Sequence, residues 1–214
     1  MKKPFLSLIM LVASLHGFAQ HEVGTLSFIP KIGINLANVT GNDVFYLKDG
    51  IGDKLLKPQY RIGVMAGIES EYQMSSALSL SAGALYSLQG NKYDDIEYQK
   101  NYSVALHYVN VPVMLNFYVV KGLALKAGLQ AGYAFYKKES FDQLVGSNWS
   151  TYSTSGSIYK NFDVAVPVGI SYDFDKLRID LRYNYGLTSI SKLNGMPSIK
   201  NHVFQLSVGY VLGK

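Results

Sequence analysis

The sequence contains no cysteine, one tryptophan, six prolines and only 16% charged residues among its 214 residues. Without cysteine it has no disulfide scaffold, thiolate metal site or cysteine nucleophile. A charged fraction this low is not typical of disordered chains, coiled coils or strongly basic nucleic-acid-binding proteins, and a net charge of +5 is too small to imply a nucleic-acid partner. The length suits one domain.

After the first 19 residues, no stretch approaches the roughly 18 consecutive apolar residues that a membrane-spanning helix requires. The first 19 residues are typical of a secretory signal peptide. Lys2 and Lys3 precede a short apolar segment, and Gly17 and Ala19 occupy the small-residue positions of a cleavage site. We therefore predict cleavage after Ala19 and a mature domain that covers residues 20–214.

Apolar residues alternate with polar or small ones in eight segments of the mature chain, a period of two that predicts strands. The segments are long enough to cross a bilayer at a tilt, which takes about 9–11 residues. They are Phe28–Leu36, Tyr60–Tyr72, Leu78–Leu88, His107–Val119, Leu123–Phe135, Phe162–Phe174, Leu177–Leu187 and Phe204–Leu212.

The connections between these segments alternate in length. Short connections lie at Gln73–Ala77, Val120–Gly122 and Asp175–Lys176. Long polar connections lie at Ala37–Gln59, Gln89–Leu106, Tyr136–Asn161 and Thr188–Val203. This alternation predicts an all-β fold, an eight-stranded antiparallel up-and-down transmembrane β-barrel with short periplasmic turns, long extracellular loops and both termini in the periplasm.

The two faces of the predicted strands differ in chemistry. One face is bulky and apolar, with aromatic residues near both ends, and carries no charge; the other interleaves charged residues with Gly, Ser and Ala. The interior of an eight-stranded barrel is narrow, so we expect the less bulky, charged face to point inward and the apolar face to contact lipid. A soluble periplasmic ligand-binding barrel, with the faces exchanged, is the alternative.

The predicted inward charges sum to zero, with five basic and five acidic side chains. We expect a paired lumen network that closes the barrel, because buried charges persist only when they are paired. In the antiparallel register Asp173 lies opposite Arg178, and Lys31 comes within reach of Glu69 and Glu71. The predicted network consists of Lys31, Arg61, Glu69, Glu71, Lys126, Asp163, Asp173, Arg178, Asp180 and Arg182.

No motif for catalysis, metal binding or a cofactor is present. His107 and His202 lie near the loop ends of strands without a nearby nucleophile and carboxylate in sequence, so we interpret them as polar rim residues and predict no enzyme. The third long connection contains the aromatic residues Phe141, Trp149, Tyr152 and Tyr159, which are candidate contacts for an extracellular partner.

Five segments in order resemble the PorT-like outer-membrane β-barrel family of Bacteroidota. They are KIGINLA at 31–37, LYSLQG at 85–90, YVNVP at 108–112, RYNYGLT at 182–188 and VFQLSVGY at 203–210. The resemblance implies an OmpA/OmpX-like barrel in the outer membrane of a Gram-negative bacterium, inserted by the barrel-assembly machinery. The chain ends in Gly213-Lys214 and not in an aromatic residue, which departs from the family.

From these features we expect a small closed monomer in outer-membrane lipid, with a structural or loop-mediated adhesive role and an unidentified extracellular partner. The alternatives are a narrow channel for small solutes and an accessory component of a protein-secretion apparatus.

Overall fold

The computed structural model describes residues 22–40, 46–49, 52–55, 58–95, 97–155, 159–191 and 198–213. The predicted signal peptide lies outside these residues. The described residues form eleven strands: β1 Leu26–Thr40, β2 Tyr46–Asp49, β3 Gly52–Leu55, β4 Pro58–Gln73, β5 Leu78–Tyr93, β6 Gln99–Val120, β7 Leu123–Val145, β8 Asn148–Ser155, β9 Phe162–Phe174, β10 Leu177–Gly186 and β11 Lys200–Tyr210. Among the described residues, no helix is long and apolar enough to cross a membrane.

Eight strands form a closed antiparallel ring in the order β1, β4, β5, β6, β7, β9, β10, β11, and β11 pairs with β1 to close it. The predicted all-β eight-stranded barrel is therefore confirmed. β2 and β3 form a separate hairpin between β1 and β4 in sequence. β8 pairs with the later part of β7, beyond the part that pairs with β9.

Short turns join the strands at one end of the barrel, which we call the turn side; the opposite end is the loop side. In the two-residue turn between β9 and β10, Asp175 adopts a φ of 52°, a left-handed conformation that short polar residues tolerate. Phe28 pairs with Leu212 in an isolated bridge, so both ends of the described chain reach the turn side.

The apolar face of the ring points outward. Ile32 and Ile62 are 70% and 71% exposed, and none of the residues predicted for this face is buried. Aromatic side chains form two exposed belts on it. Near the loop side these are Tyr60, Tyr133, Phe135, Phe162 and Phe204, and near the turn side Tyr72, Phe117, Tyr172, Phe174 and Tyr210.

The inward face combines charged side chains with glycines, because the interior has little room. At Gly128 a Cβ atom would lie 2.0 Å from the carbonyl oxygen of Val113 on the neighbouring strand, so even alanine would require the two strands to separate.

All four predicted long connections are shorter than expected, because strands continue into them, most of all into the second and third. β5 extends to Tyr93, β6 starts at Gln99 and β7 runs to Val145. β6 and β7 have 22 and 23 residues, about twice what a bilayer crossing requires, so roughly half of their ladder projects beyond the barrel.

Candidate functional site

A first group of buried charges crosses the lumen from β1 to β10. Glu69 accepts hydrogen bonds from Lys31 Nζ at 2.7 Å and from Arg182 Nη2 at 2.8 Å. Asp180 accepts one from Lys126 Nζ at 2.6 Å and lies within 3.5 Å of Lys31 Nζ. These five residues are at most 3% exposed, so each carboxylate is shared by cations from different strands.

A second group lies closer to the turn side and centres on Arg178. Its Nε and Nη2 atoms donate to Asp173 at 2.6 and 2.8 Å, and its Nη1 donates to Glu71 across the lumen. The Tyr118 hydroxyl donates to Glu71 and accepts from Arg178 Nη2 at 3.0 Å. The first group has one excess positive charge and the second one excess negative charge, so together they are neutral.

Two residues predicted for this network lie apart from it. Asp163 accepts hydrogen bonds from Asn201 Nδ2 and Thr188 Oγ1, both at 2.9 Å, on the loop side. Arg61 is only half-buried, and its Nε has no hydrogen-bond partner among the described residues. Both residues share the inward alternation of the network, but their height in the barrel places them near the loop-side mouth.

An apolar cluster that was not predicted from the sequence fills that mouth. Its buried members are Val39, Tyr93, Val104, Leu106, Tyr108, Ala134, Tyr159, Ile190 and Ile199. The signal was present in β6, where Val104, Leu106 and Tyr108 alternate on the inward side. The lumen therefore has two closures in series, a charged one toward the turn side and an apolar one toward the loop side.

Tyr159 was predicted as a contact for an extracellular partner, and this is wrong. It is 1% exposed, and its hydroxyl lies 3.3 Å from that of Tyr93 within the apolar cluster. Tyr159 lies in the mouth of the barrel, so an aromatic residue in a predicted long connection is here part of the core.

The other predicted contact residues lie on a feature that we call the projecting sheet, formed by residues 99–106 of β6, 136–145 of β7 and β8. Phe141 stacks on Tyr152 with ring centroids 5.7 Å apart, and Lys100 Nζ lies 4.5 Å from the ring centre of Trp149. Trp149 and Tyr152 are 43% and 45% exposed. The sheet thus presents aromatic surface on both of its faces.

Hydrogen bonds between strands stiffen the projecting sheet. The Tyr102 hydroxyl donates to Glu139 at 2.9 Å, and burial together with this carboxylate raises the pKa of Tyr102, so the phenol stays protonated. Asp142 accepts from Asn101 Nδ2 and Thr151 Oγ1, and these two bonds lower the pKa of Asp142. Side chains thus tie β6, β7 and β8 together above the membrane.

β8 is the edge of this sheet. It pairs with β7 from Lys138↔Ser155 to Val145↔Asn148, and no other described strand pairs with its second edge. The turn Gly146-Ser147 closes the pair, with Gly146 at φ +64°. Such two-residue turns close on a hydrogen-bonded pair, so the backbone groups of Trp149, Thr151 and Ser153 point to the free edge.

The rim histidines bond to hydroxyls. His107 Nδ1 lies 2.8 Å from the Tyr86 hydroxyl, and His202 lies 2.5 Å from both the Thr40 and Tyr183 hydroxyls. No carboxylate bonds to either imidazole in the part of the chain that the structure describes. That part also contains no group of three His, Asp or Glu side chains that could hold a metal ion.

The closed antiparallel ring, with apolar side chains outward and charges inward, defines a transmembrane β-barrel. The chain belongs to the family described as outer membrane protein beta-barrel domain, which matches residues 18–192. It is thus an outer-membrane protein.

Solved barrels resemble it at low identity. Neisserial surface protein A is 14% identical with a TM-score of 0.50, over 86% of this chain and 96% of that one. Ail, the attachment invasion locus protein of Yersinia pestis, is 18% identical with a TM-score of 0.48, over 89% and 100%. OprG from Pseudomonas aeruginosa is 13% identical with a TM-score of 0.44, over 92% and 100%. A comparison with curated proteins finds no match.

Proposed function

We propose that this protein is a non-conducting attachment protein of the outer membrane, which binds extended segments of extracellular partners along the free edge of β8. The observation that carries the proposal is the projecting sheet. Its edge strand is accessible, while the lumen of the barrel beneath it is closed by the apolar cluster and by the charged network. The PorT-like resemblance, a Bacteroidota source and periplasmic termini belong to the same proposal.

The edge of β8 has none of the features that usually prevent strand addition. Natural edge strands are protected by lysine, proline or bulges. β8 reads NWSTYSTS and contains no charge, proline or glycine, and no charged residue occurs between Val145 and Tyr159. An extended peptide that adds to such an edge gains backbone hydrogen bonds, and alternate side chains supply specificity. Trp149 and Tyr152 give aromatic anchors on the two faces beside it.

A channel is the second candidate, and the two closures oppose it. We expect planar bilayers that contain the purified protein to show no stable conductance steps of nanosiemens magnitude. An ion would have to pass the apolar cluster around Leu106 and then the two charged groups around Glu69 and Arg178, which together are neutral. Stable steps that a truncation of β8 leaves unchanged would favour the channel and contradict the proposal.

Strand addition predicts a specific loss in the variant Ser153→Pro. Proline removes the outward N–H of Ser153 but leaves the bonds between β7 and β8, because those use the alternate residues. The measurement is selection of a phage-displayed library of random 12-residue peptides on the protein in nanodiscs. We expect wild type to enrich peptides rich in β-branched residues, and Ser153→Pro to lose this enrichment.

Gln143→Ala is the matched control, since Gln143 is exposed on β7, one strand behind the edge. Both variants must keep the heat-modifiable gel mobility of a folded barrel. Equal enrichment on wild type and Ser153→Pro would show that the edge is not the binding element.

A further inference from the structure

We infer that the partner of β8 is a second copy of this chain, held in a facing membrane by antiparallel pairing of two β8 edges. This inference rests on the proposed function and names its partner. It follows from three properties of β8: its composition, its alternation and its direction relative to the membrane.

The composition of β8 favours pairing with itself. Segments of high β-propensity with low charge, no proline and few glycines are those that associate with identical segments. When two copies of one strand meet, every like charge would face a like charge, which is destabilising. The uncharged stretch from 146 to 159 removes this penalty from the whole edge. The acidic residues that face β8, Asp142 and Glu139, lie one strand behind the edge, where Asp142 accepts from the Thr151 hydroxyl at 2.7 Å and Glu139 from the Tyr102 hydroxyl at 2.9 Å.

The alternation of β8 fits a two-fold contact centred on Thr151. Its outward backbone groups are those of Trp149, Thr151, Ser153 and Ser155. In an antiparallel pair centred on Thr151, the two Thr151 residues face each other, and Trp149 faces Ser153 of the other copy. All cross-strand neighbours are then Ser, Thr, Asn, Tyr or Trp, pairs that stabilise a sheet without charge matching. The contact is isologous and closes after two copies.

The direction of β8 decides which copies meet. β8 follows β7, and strands of membrane barrels tilt by about 35–45° from the membrane normal. Two copies in one membrane are related by an axis along that normal, so their β8 strands would cross at twice the tilt, about 70–90°. A two-fold axis that lies in the membrane plane and is perpendicular to β8 makes the strands antiparallel instead, and it places the two barrels in facing membranes.

The projecting sheet has the height that this arrangement requires. From Tyr133 in the outer aromatic belt to Val145 at the tip, β7 continues for 12 residues, which is about 40 Å along the strand and, at a tilt of about 35–45°, about 28–33 Å of height above the belt. Two overlapping β8 strands thus leave room for both membrane surfaces. Membranes that carry this protein would cluster through it.

The absence of native cysteine allows a direct test, since each introduced cysteine is the only thiol. Copies with two different affinity tags are reconstituted into separate phospholipid vesicles, which are then mixed under mild oxidation. We expect a disulfide-linked dimer that contains both tags for Thr151→Cys, because facing Cα atoms in antiparallel strands are about 5.5 Å apart, within disulfide range. Vesicles with Trp149→Cys should likewise crosslink to vesicles with Ser153→Cys.

The controls distinguish this contact from random collisions. Gln143→Cys, exposed on the same sheet but one strand from the edge, should not form the mixed dimer. Adding Ser153→Pro to Thr151→Cys should abolish it. The pair Trp149→Cys with Ser153→Cys gives an independent measurement if Thr151→Cys does not fold.

Three results would overturn the inference: equal crosslinking at Gln143→Cys, mixed dimers that form only when both tagged copies share one vesicle, or no crosslinks at any edge position. If crosslinks are absent while wild type still selects extended peptides, self-pairing is wrong and the attachment function stands. If both fail, the proposed function fails as well.

Discussion

Replacing Glu69 by alanine is expected to reduce the free energy of unfolding of the barrel by about 3–5 kcal/mol, the usual cost of breaking a buried ion pair. Glu69 is 1% exposed and accepts hydrogen bonds from Lys31 and Arg182. Without it, the three cations of the first group share only Asp180. The measurement is urea unfolding in lipid vesicles, followed by gel mobility.

The matched control is Glu22→Ala, which removes an exposed carboxylate near the turn side and should change the free energy of unfolding by less than about 0.5 kcal/mol. A double-mutant cycle with Lys31→Met tests the pairing itself. Because the two residues contact each other, the double variant should lose less stability than the sum of the two single losses. A strictly additive result would contradict the network.

The barrel could be predicted from the sequence because lipid on one side and a narrow lumen on the other impose a strict alternation. The strand Phe162–Phe174 has the predicted bounds, because an outward aromatic residue marks each end. Phe162 lies at the loop-side rim, and Phe174 precedes a two-residue turn. Cross-strand neighbours also follow from the two-residue turn at Asp175-Lys176, which fixes Asp173 opposite Arg178.

The projecting sheet could not be predicted from this alternation. Beyond the outer aromatic belt neither face of β7 meets lipid, so residues 136–145 mix charged, polar and aromatic side chains without a period of two. Their strand structure depends on pairing between distant segments, such as Gln99 with Gln143. Periodicity detects a strand only where its two faces have different solvents.

Contacts across the lumen also could not be predicted by counting residues along paired strands. Arg178 bonds to Glu71 although their strands are not neighbours in the ring, because long side chains meet at the barrel centre. Register counting assigns partners on adjacent strands only. It therefore placed both Glu69 and Glu71 within reach of Lys31; the structure pairs Lys31 with Glu69 and pairs Glu71 with Arg178.

The second large effect is expected from the opposite change, a charge placed on the outer face. Leu181→Arg should destabilise the barrel by about 2–4 kcal/mol in lipid, the cost of arginine at the bilayer midplane. Leu181 is 47% exposed, and its cross-strand neighbours Ile170 and Leu206 are also outward and apolar. Urea unfolding in vesicles measures the change.

The depth of the substitution provides the control, because only a membrane makes the cost depend on height. Leu177→Arg lies on the same strand but at the turn side, among Phe174 and Tyr210, where the cost should fall to about 0–1 kcal/mol. Equal effects at the two positions would contradict a bilayer around the barrel. Asp180 and Arg182 flank Leu181 in sequence and are buried in the lumen network, so charge that stabilises the inside of β10 is excluded one residue away on its outside.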